Sequence, residues 1–212
     1  MGSEPPFRVA FAVVLTTAVA LSGAFRLRAR RLGGTIPRAR EGRGPLVLRL
    51  LFALPFYLGM IAYVVNPDWM RWSSLPLPTW LRWVGVAVAA AMLPLLVWVL
   101  LSLGTNISET YLTKADHRLV THGPYRWVRH PLYAVALTAF LGLAVAAANG
   151  FLLVMGSAIL IAMARLVVPR EEAELMARFG DGYGAYRART GAFVPRLGAS
   201  RRLKAGGKVA GG

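Results

Sequence analysis

The 212-residue chain contains no cysteine, and that absence excludes disulfides, thiolate metal sites and a cysteine nucleophile. Only three histidines are present, His117, His122 and His130. Their spacing matches no common pattern of metal ligands, so we expect no metal site. The chain also lacks the GxGxxG and GxxxxGK motifs with which soluble nucleotide-binding folds hold phosphates.

Acidic residues are scarce as well, with nine Asp and Glu against 25 Lys and Arg, and the formal net charge is +16. In a soluble protein this balance favours nucleic-acid binding, but no aromatic stacking platform accompanies the basic residues, so we expect no nucleic-acid partner. The chain is 56% hydrophobic, which is high for a soluble domain. The basic residues are therefore interpreted as loops that contact the headgroups of a lipid bilayer.

Five apolar runs approach the roughly 20 residues that a helix needs to cross a bilayer. They occupy residues 7–25, 46–65, 80–103, 132–148 and 151–168. The turn dipeptide Asn149-Gly150 separates the last two runs, which indicates a helical hairpin. The sequence therefore predicts an all-α integral membrane protein with five transmembrane helices.

Basic residues alternate between the segments that connect these runs. Lys and Arg number eight in 26–49, one in 66–78, four in 104–130, none in 149–150 and nine from 169 onward. Because basic loops stay in the cytoplasm, the pattern predicts a multi-pass protein whose N-terminus is outside and whose C-terminus and active site are cytoplasmic.

The segment after the fifth run divides in two. Residues 170–180 have one apolar and one charged helical face, which predicts a cytoplasmic interfacial helix. Residues 198–212 are rich in glycine and basic residues and predict a disordered tail. The expected organisation is a three-span region over 1–103, a cofactor-binding catalytic region over 104–197, and the tail.

The segment 122–133 holds two arginines, two histidines, two tyrosines and a tryptophan directly before the fourth run. Ionisable residues at a membrane boundary are expensive and indicate a functional site. Pro131 suits the first position of a helix, whose N-terminus attracts anions, and Arg129 adds a two-point donor for a carboxylate or phosphate. The alternative is membrane anchoring by basic and aromatic side chains, which leaves the histidines unexplained.

Glu171 and Glu172 follow the fifth run and are predicted to share a membrane face with Arg129. An anion site and a cation site across a short gap suit a zwitterionic ligand. The alternative is a solvated first helical turn, where acidic residues are also favoured.

The stretch from His117 to Tyr133 resembles the signature of the isoprenylcysteine carboxyl methyltransferase family, whose superfamily includes phospholipid N-methyltransferases. Glu171-Glu172, FGDGYGAY at 179–186 and FVPR at 193–196 continue the resemblance, which covers about 117–197. It implies a fold of membrane helices without a Rossmann domain, and S-adenosylmethionine as the cofactor.

The resemblance also implies roles for individual residues. The catalytic candidates are Arg129, His130 and His117. Cofactor binding is expected at His117, Gly123, Tyr125, Arg129, His130, Pro131, Tyr133, Glu171, Glu172, Tyr183 and Tyr186. The sequence departs from the family at Val135, where members often have a glycine that lets the backbone approach the cofactor.

The expected activity is methylation of a lipophilic or small acceptor, with an isoprenylcysteine-type carboxylate favoured and a thiol or lipid amine left open. One alternative is an NADPH-dependent membrane reductase of the sterol-reductase type, although the Glu171-Glu172 pair would repel the phosphates of NADPH. Another is a non-enzymatic membrane scaffold, which would leave the clustered ionisable residues without a reason. The sequence makes no prediction of the oligomeric state.

Overall fold

The computed structural model describes residues 4–33, 47, 49–107 and 119–196, and these residues are mostly helical, without a β-strand. Six α-helices are bounded within the described residues: α1 (Glu4–Gly33), α2 (Leu54–Val65), α3 (Thr79–Leu103), α4 (Pro131–Ala146), α5 (Gly150–Ala162) and α6 (Val168–Arg189). Short π-helical segments, Arg49–Ala53 and Met163–Val167, lead into α2 and join α5 to α6. The predicted all-α architecture is confirmed.

Three helical stretches are long and apolar enough to cross a membrane: Glu4–Leu32, Thr79–Asn106 and Gly150–Arg189. Two shorter apolar helices, Leu50–Val65 and Pro131–Ala146, coincide with the second and fourth predicted runs. The 16 residues of α4 extend only about 24 Å, less than the roughly 30 Å of hydrocarbon in a bilayer. The exact count of five spans therefore stays a prediction.

Small residues bring α3 and α4 into close contact. A Cβ atom added to Gly85 would lie 2.6 Å from the carbonyl oxygen of Gly142, and Ala89 packs beside the same point. Glycine and alanine allow such close approach of helices in a membrane, where hydrophobic burial alone does not hold helices together. This contact fixes the position of α4, whose first residue, Pro131, is also the predicted helix start.

A tight turn at Ala147 and Ala148 joins α4 to α5 as the predicted hairpin. Ala148 adopts a positive φ of 49°, and the Asn149 side chain accepts a hydrogen bond from the backbone N–H of Leu152 at 3.1 Å. Asn149 is thus the N-cap of α5, while Gly150 is already its first residue.

Helix α6 is interrupted at Gly180, whose φ of 49° and ψ of −128° are not helical. Glu172 and Arg187 lie on opposite sides of this break, yet their side chains are 3.3 Å apart. Fifteen residues of straight helix would separate them by about 22 Å. The chain therefore folds back at Gly180, where the predicted interfacial helix ends, and continues as a second arm to Arg189. The interfacial, cytoplasmic location stays a prediction, and the tail 198–212 lies outside the described residues.

Candidate active site

The start of α4 and the two arms of α6 bring most of the predicted site residues together. Arg129 and His130 lie immediately before α4, Tyr133 lies in its first turn, and Glu171 and Glu172 lie near the start of α6. The second arm of α6 adds Tyr183 and Tyr186. His117 lies outside the described residues, so its catalytic and cofactor-binding roles stay predictions.

The carboxylate of Glu172 is the centre of the cluster. Its Oε1 accepts a hydrogen bond from Nε of Arg129 at 2.8 Å and lies 3.3 Å from Nε2 of His130. Its Oε2 lies 3.3 Å from Nε of Arg187. The side chains of Arg129 and Glu172 are each 9% exposed, so this ion pair is almost fully removed from solvent.

The position of Glu172 favours the ionised carboxylate, although burial by itself opposes it. Burial raises the pKa of Glu172, but the hydrogen bonds with His130 and Arg129 and the charges of these two residues outweigh burial and lower the pKa to about 2. Glu172 lies beyond Val168, where the apolar run ends, and remains negatively charged at every physiological pH.

Glu171 has a different environment from its neighbour. Its Oε2 accepts a hydrogen bond from the hydroxyl of Tyr133 at 3.0 Å and lies 3.7 Å from Nδ1 of His130. Burial raises the pKa of Glu171 despite the opposing effects of His130 and Tyr133. The His130 ring thus lies between two carboxylates and stacks on the ring of Tyr133, with 5.9 Å between the ring centroids.

Backbone hydrogen bonds attach the segment after α6 to the start of α4. The N–H of Arg129 donates to the Gly191 carbonyl at 2.8 Å, and the N–H of His130 donates to the Ala192 carbonyl at 2.9 Å. The Arg129 guanidinium also donates to the carbonyls of Thr190 and Arg187. Arg129 therefore has a structural role, because it holds two distant segments in register as well as contacting Glu172.

Two of the predicted tyrosines differ in the hydrogen bonding of their hydroxyls. The Tyr186 hydroxyl donates to the Tyr125 carbonyl at 2.7 Å, so it fixes α6 against the turn before α4. The Tyr183 side chain is 1% exposed, and among the described residues its hydroxyl has no hydrogen-bond partner. Buried hydroxyls are nearly always bonded, so this hydroxyl is available to a ligand.

Gly123 and Pro131 support this arrangement through the backbone. Gly123 has a positive φ of 58°, and a Cβ atom there would overlap the side chain of Ser102 at the end of α3. Only glycine combines this φ with such close packing at no steric expense. Gly123 begins the 3₁₀ turn Gly123–Arg126, which places the Tyr125 carbonyl where the Tyr186 hydroxyl donates to it.

Two features differ from the sequence-based expectation. Arg129 and Glu172 do not face each other across a gap but form a direct ion pair, with Nε of Arg129 2.8 Å from Oε1 of Glu172. Arg187 was assigned no role, yet it contacts Glu172. Its position in the sequence gives no indication of this contact, because the contact depends on the reversal of the chain at Gly180.

Comparison with known proteins identifies relatives of this chain. Residues 78–177 match the isoprenylcysteine carboxyl methyltransferase family. The resemblance inferred from the sequence is confirmed. The match includes α3, α4, α5 and the Glu171-Glu172 pair, but it ends before Tyr183, Tyr186 and Arg187.

Individual relatives match over similar lengths. The cobalt-zinc-cadmium resistance protein CzcN of Cupriavidus metallidurans is 34% identical over 119 residues, which are 55% of this chain and 55% of that protein. The protein-S-isoprenylcysteine O-methyltransferase of Schizosaccharomyces pombe is 32% identical over 96 residues, 44% of this chain and 41% of that protein. The chain thus spans about half the length, or less, of the curated relatives it matches.

The fold is shared with a solved structure of the family. The eukaryotic intramembrane Ras methyltransferase, isoprenylcysteine carboxyl methyltransferase, superposes with a TM-score of 0.56 over 92% of this chain and 69% of its own, at 20% sequence identity. At this identity the likeness establishes the fold alone. Together with the apolar helices and the family match, it makes this chain an integral membrane protein.

Proposed function

We propose that the protein is a membrane methyltransferase that uses S-adenosylmethionine. The observation that carries the proposal is the Glu172 carboxylate, which belongs to the region that matches the methyltransferase family and is held between Arg129, His130 and Arg187. The methionine end of the cofactor has one ammonium and one carboxylate. A buried carboxylate beside two guanidinium groups provides one partner for each of these charges.

The residues present fit this cofactor in two respects. Glu172 is ionised and accepts a hydrogen bond from the ammonium of the cofactor. The unpartnered hydroxyl of buried Tyr183 provides a further hydrogen bond. When bound, S-adenosylmethionine supplies an electrophilic methyl group. The chain supplies positioning and charge, which are the main requirements of an in-line displacement at carbon.

The two arginines differ in their freedom to exchange partners. Arg129 is buried and bonded to Glu172 and to two backbone carbonyls, so it is fixed. Arg187 is 53% exposed and contacts Glu172 through one atom pair at 3.3 Å. Exposed ion pairs contribute only about 0–1 kcal/mol, so Arg187 can leave Glu172 at little expense. We assign Arg187 to the carboxylate of the cofactor and Arg129 to the fixed support of Glu172.

The proposed acceptor is a lipophilic carboxylate of the isoprenylcysteine type that enters from the bilayer between the helices. A carboxylate is ionised at neutral pH and attacks the methyl group without a base, so the S–CH₃ bond breaks as the O–CH₃ bond forms. A thiol or an ammonium must first lose a proton to a base such as His117 or His130. A reductase that binds NADPH is disfavoured, because Glu171 and Glu172 would repel its phosphates.

The acceptor class can be tested with the purified full-length protein and radiolabelled S-adenosylmethionine. Three acceptors are compared: a farnesylated N-acetylcysteine, a hydrophobic thiol and phosphatidylethanolamine. A carboxyl methyl ester releases methanol in alkali, whereas methyl groups on sulfur or nitrogen do not. We expect alkali-labile product and a rate that changes little between about pH 6 and 8, since neither an arginine nor a carboxylate titrates there. Alkali-stable product, with a rate that rises steeply across this window, would favour a thiol or amine.

The proposed orientation places the Glu172 cluster in the cytoplasm, where the cofactor is made. It rests on the five-span count and the alternation of basic segments. A reporter fused after Arg202 should read as cytoplasmic and one fused before Met1 as external. The reverse pattern would place the cluster on the external face and remove the supply of cofactor.

A further inference from the structure

A cavity of about 960 Å³ lies at the end of the bundle opposite the Glu172 cluster. The length of α4, about 24 Å, separates the two, because the cluster adjoins the start of α4 and the cavity adjoins the turn at its end. The cavity is at the upper end of the range for small-ligand sites. Its lining includes Glu4, Arg8, Val9, Tyr63, Asp68 and Arg71.

From this cavity we propose a binding site for the phosphate of a phospholipid headgroup. Arg8, at the start of α1, and Arg71, in the 3₁₀ segment Pro67–Ser73, are its cationic side chains. The proposed methyl transfer uses neither residue, so this inference does not depend on the proposed function.

A closed ion pair stiffens one wall of the cavity. The Arg82 guanidinium donates to both carboxylate oxygens of Glu4 at 2.7 and 3.0 Å and to the Ala146 carbonyl at 2.9 Å. The Tyr63 hydroxyl also donates to Glu4 at 3.3 Å. Because Arg82 satisfies Glu4, this carboxylate does not neutralise the other arginines of the cavity.

Arg8 and Arg71 keep most of their charge for a ligand. Arg8 donates to the carbonyls of Val64 and Val65 at the end of α2, and carbonyls carry no net charge to cancel its own. Arg71 pairs with Asp68 at 3.7 Å, but both side chains are more than two-thirds exposed, so water screens the pair. The described lining holds two arginines and two carboxylates, and Arg82, which is bonded to Glu4 from outside the lining, leaves the group with one excess positive charge that favours an anion.

The surroundings indicate that the anion belongs to a lipid. Val9, which lines the cavity, is exposed on the outer surface of α1, where acyl chains cover a membrane helix. Trp69, Trp72 and Trp80 are exposed near the same end of the bundle. Tryptophan collects at the depth of lipid headgroups, so the cavity lies where a phosphate is present and its apolar edge faces the chains.

Native mass spectrometry of the full-length protein in detergent tests the site, with phosphatidylglycerol, phosphatidylcholine and inorganic phosphate as separate probes. We expect retained lipid, with phosphatidylglycerol preferred because of the excess positive charge. Arg71→Gln should weaken lipid retention by up to about fivefold, because Arg71 is exposed and water screens its pairing with a phosphate. Arg71 is exposed, so the variant should fold normally.

Arg31→Gln is the matched control, because Arg31 is an exposed arginine at the opposite end of α1. Arg8→Gln is a second variant, expected to lower retention further. Equal lipid retention in wild type, Arg71→Gln and Arg8→Gln would overturn the proposal, as would an equal loss in Arg31→Gln. Inorganic phosphate that binds as tightly as the lipids would overturn the assignment to a lipid.

Discussion

Replacement of Glu172 by Gln should weaken recognition of the amino-acid end of the cofactor and leave recognition of its adenosine end unchanged. The substitution preserves the shape of the side chain but removes the charge that contacts Arg129, His130 and Arg187. A hydrogen bond between an ammonium and a carboxylate contributes about 1.5–3 kcal/mol. In the wild type, release of Arg187 offsets about 0–1 kcal/mol of this gain. We therefore expect Glu172→Gln to weaken binding by about 0.5–3 kcal/mol, or about two- to 150-fold in Kd.

The same reasoning gives a smaller and distinct effect for Arg187. Arg187→Gln removes the proposed partner of the cofactor carboxylate but also frees Glu172 of a competitor, so we expect about a fivefold increase in Kd. Arg189→Gln is the matched control. Arg189 is an exposed arginine in the last turn of the same helix, and its guanidinium carbon lies 5.9 Å from the centre of the Tyr186 ring.

Calorimetry with two ligands on the detergent-purified protein provides the assay. S-adenosylhomocysteine carries the amino-acid end, whereas 5′-methylthioadenosine lacks both its ammonium and its carboxylate. Only the affinity for S-adenosylhomocysteine should fall in Glu172→Gln and Arg187→Gln. Unchanged affinity for both ligands would refute the assignment of the methionine end to this cluster. An equal loss for both ligands would show that the variants disturb the pocket as a whole.

Three further predictions concern stability, each measured by thermal unfolding in detergent. Gly191→Ala should destabilise the fold by about 1–3 kcal/mol, because the added Cβ would overlap the carbonyl oxygen of Val194; unchanged stability would contradict the described turn. Glu4→Gln should lower stability more than Arg82→Met does. The first variant leaves a buried guanidinium without a counter-charge, whereas the second leaves a half-exposed carboxylate that water can solvate. A larger loss of stability in Arg82→Met would refute this account of the pair. Stability should fall as the pH drops below about 4.5 toward 2, because the pKa of Glu172 is depressed in the folded protein and its stabilisation is lost as the carboxylate is protonated. Glu172→Gln should reduce this fall. If the pH dependence of stability is the same in the variant, Glu172 is not its source.

The sequence was sufficient for features set by local chemistry. Pro131 begins α4 because its missing N–H has no partner in a first helical turn. Gly180 interrupts α6 because a positive φ is open to glycine without the strain that a Cβ causes. The cluster of Arg129, His130, Glu171 and Glu172 was predicted because ionisable residues beside apolar runs need partners, and these were the groups that could provide them.

Features set by tertiary contacts could not be read from the sequence. The contact between Arg187 and Glu172 requires the chain to reverse at Gly180, and a break in a helix does not determine the direction in which the chain continues. The backbone hydrogen bond from the N–H of Arg129 to the Gly191 carbonyl is equally independent of the side-chain pattern. The predicted gap between Arg129 and Glu172 was wrong for this reason.

Two arginine–glutamate pairs lie at opposite ends of α4, and their difference is the reason that we assign the cofactor to only one of them. Arg82 engages both oxygens of Glu4, so the pair is saturated and serves as a rigid wall. At the other end, Glu172 is shared by Arg129 and Arg187, and Arg187 makes the weaker and more exposed contact. A zwitterion can bind there at little expense in free energy. Its ammonium replaces Arg187 as a partner of Glu172, and its carboxylate pairs with the released Arg187. Insertion at the first pair would break two short hydrogen bonds and leave Arg82 buried without a partner. A buried ion pair alone therefore does not make a binding site for the proposed cofactor. The carboxylate must also have a partner, such as Arg187, that can leave it.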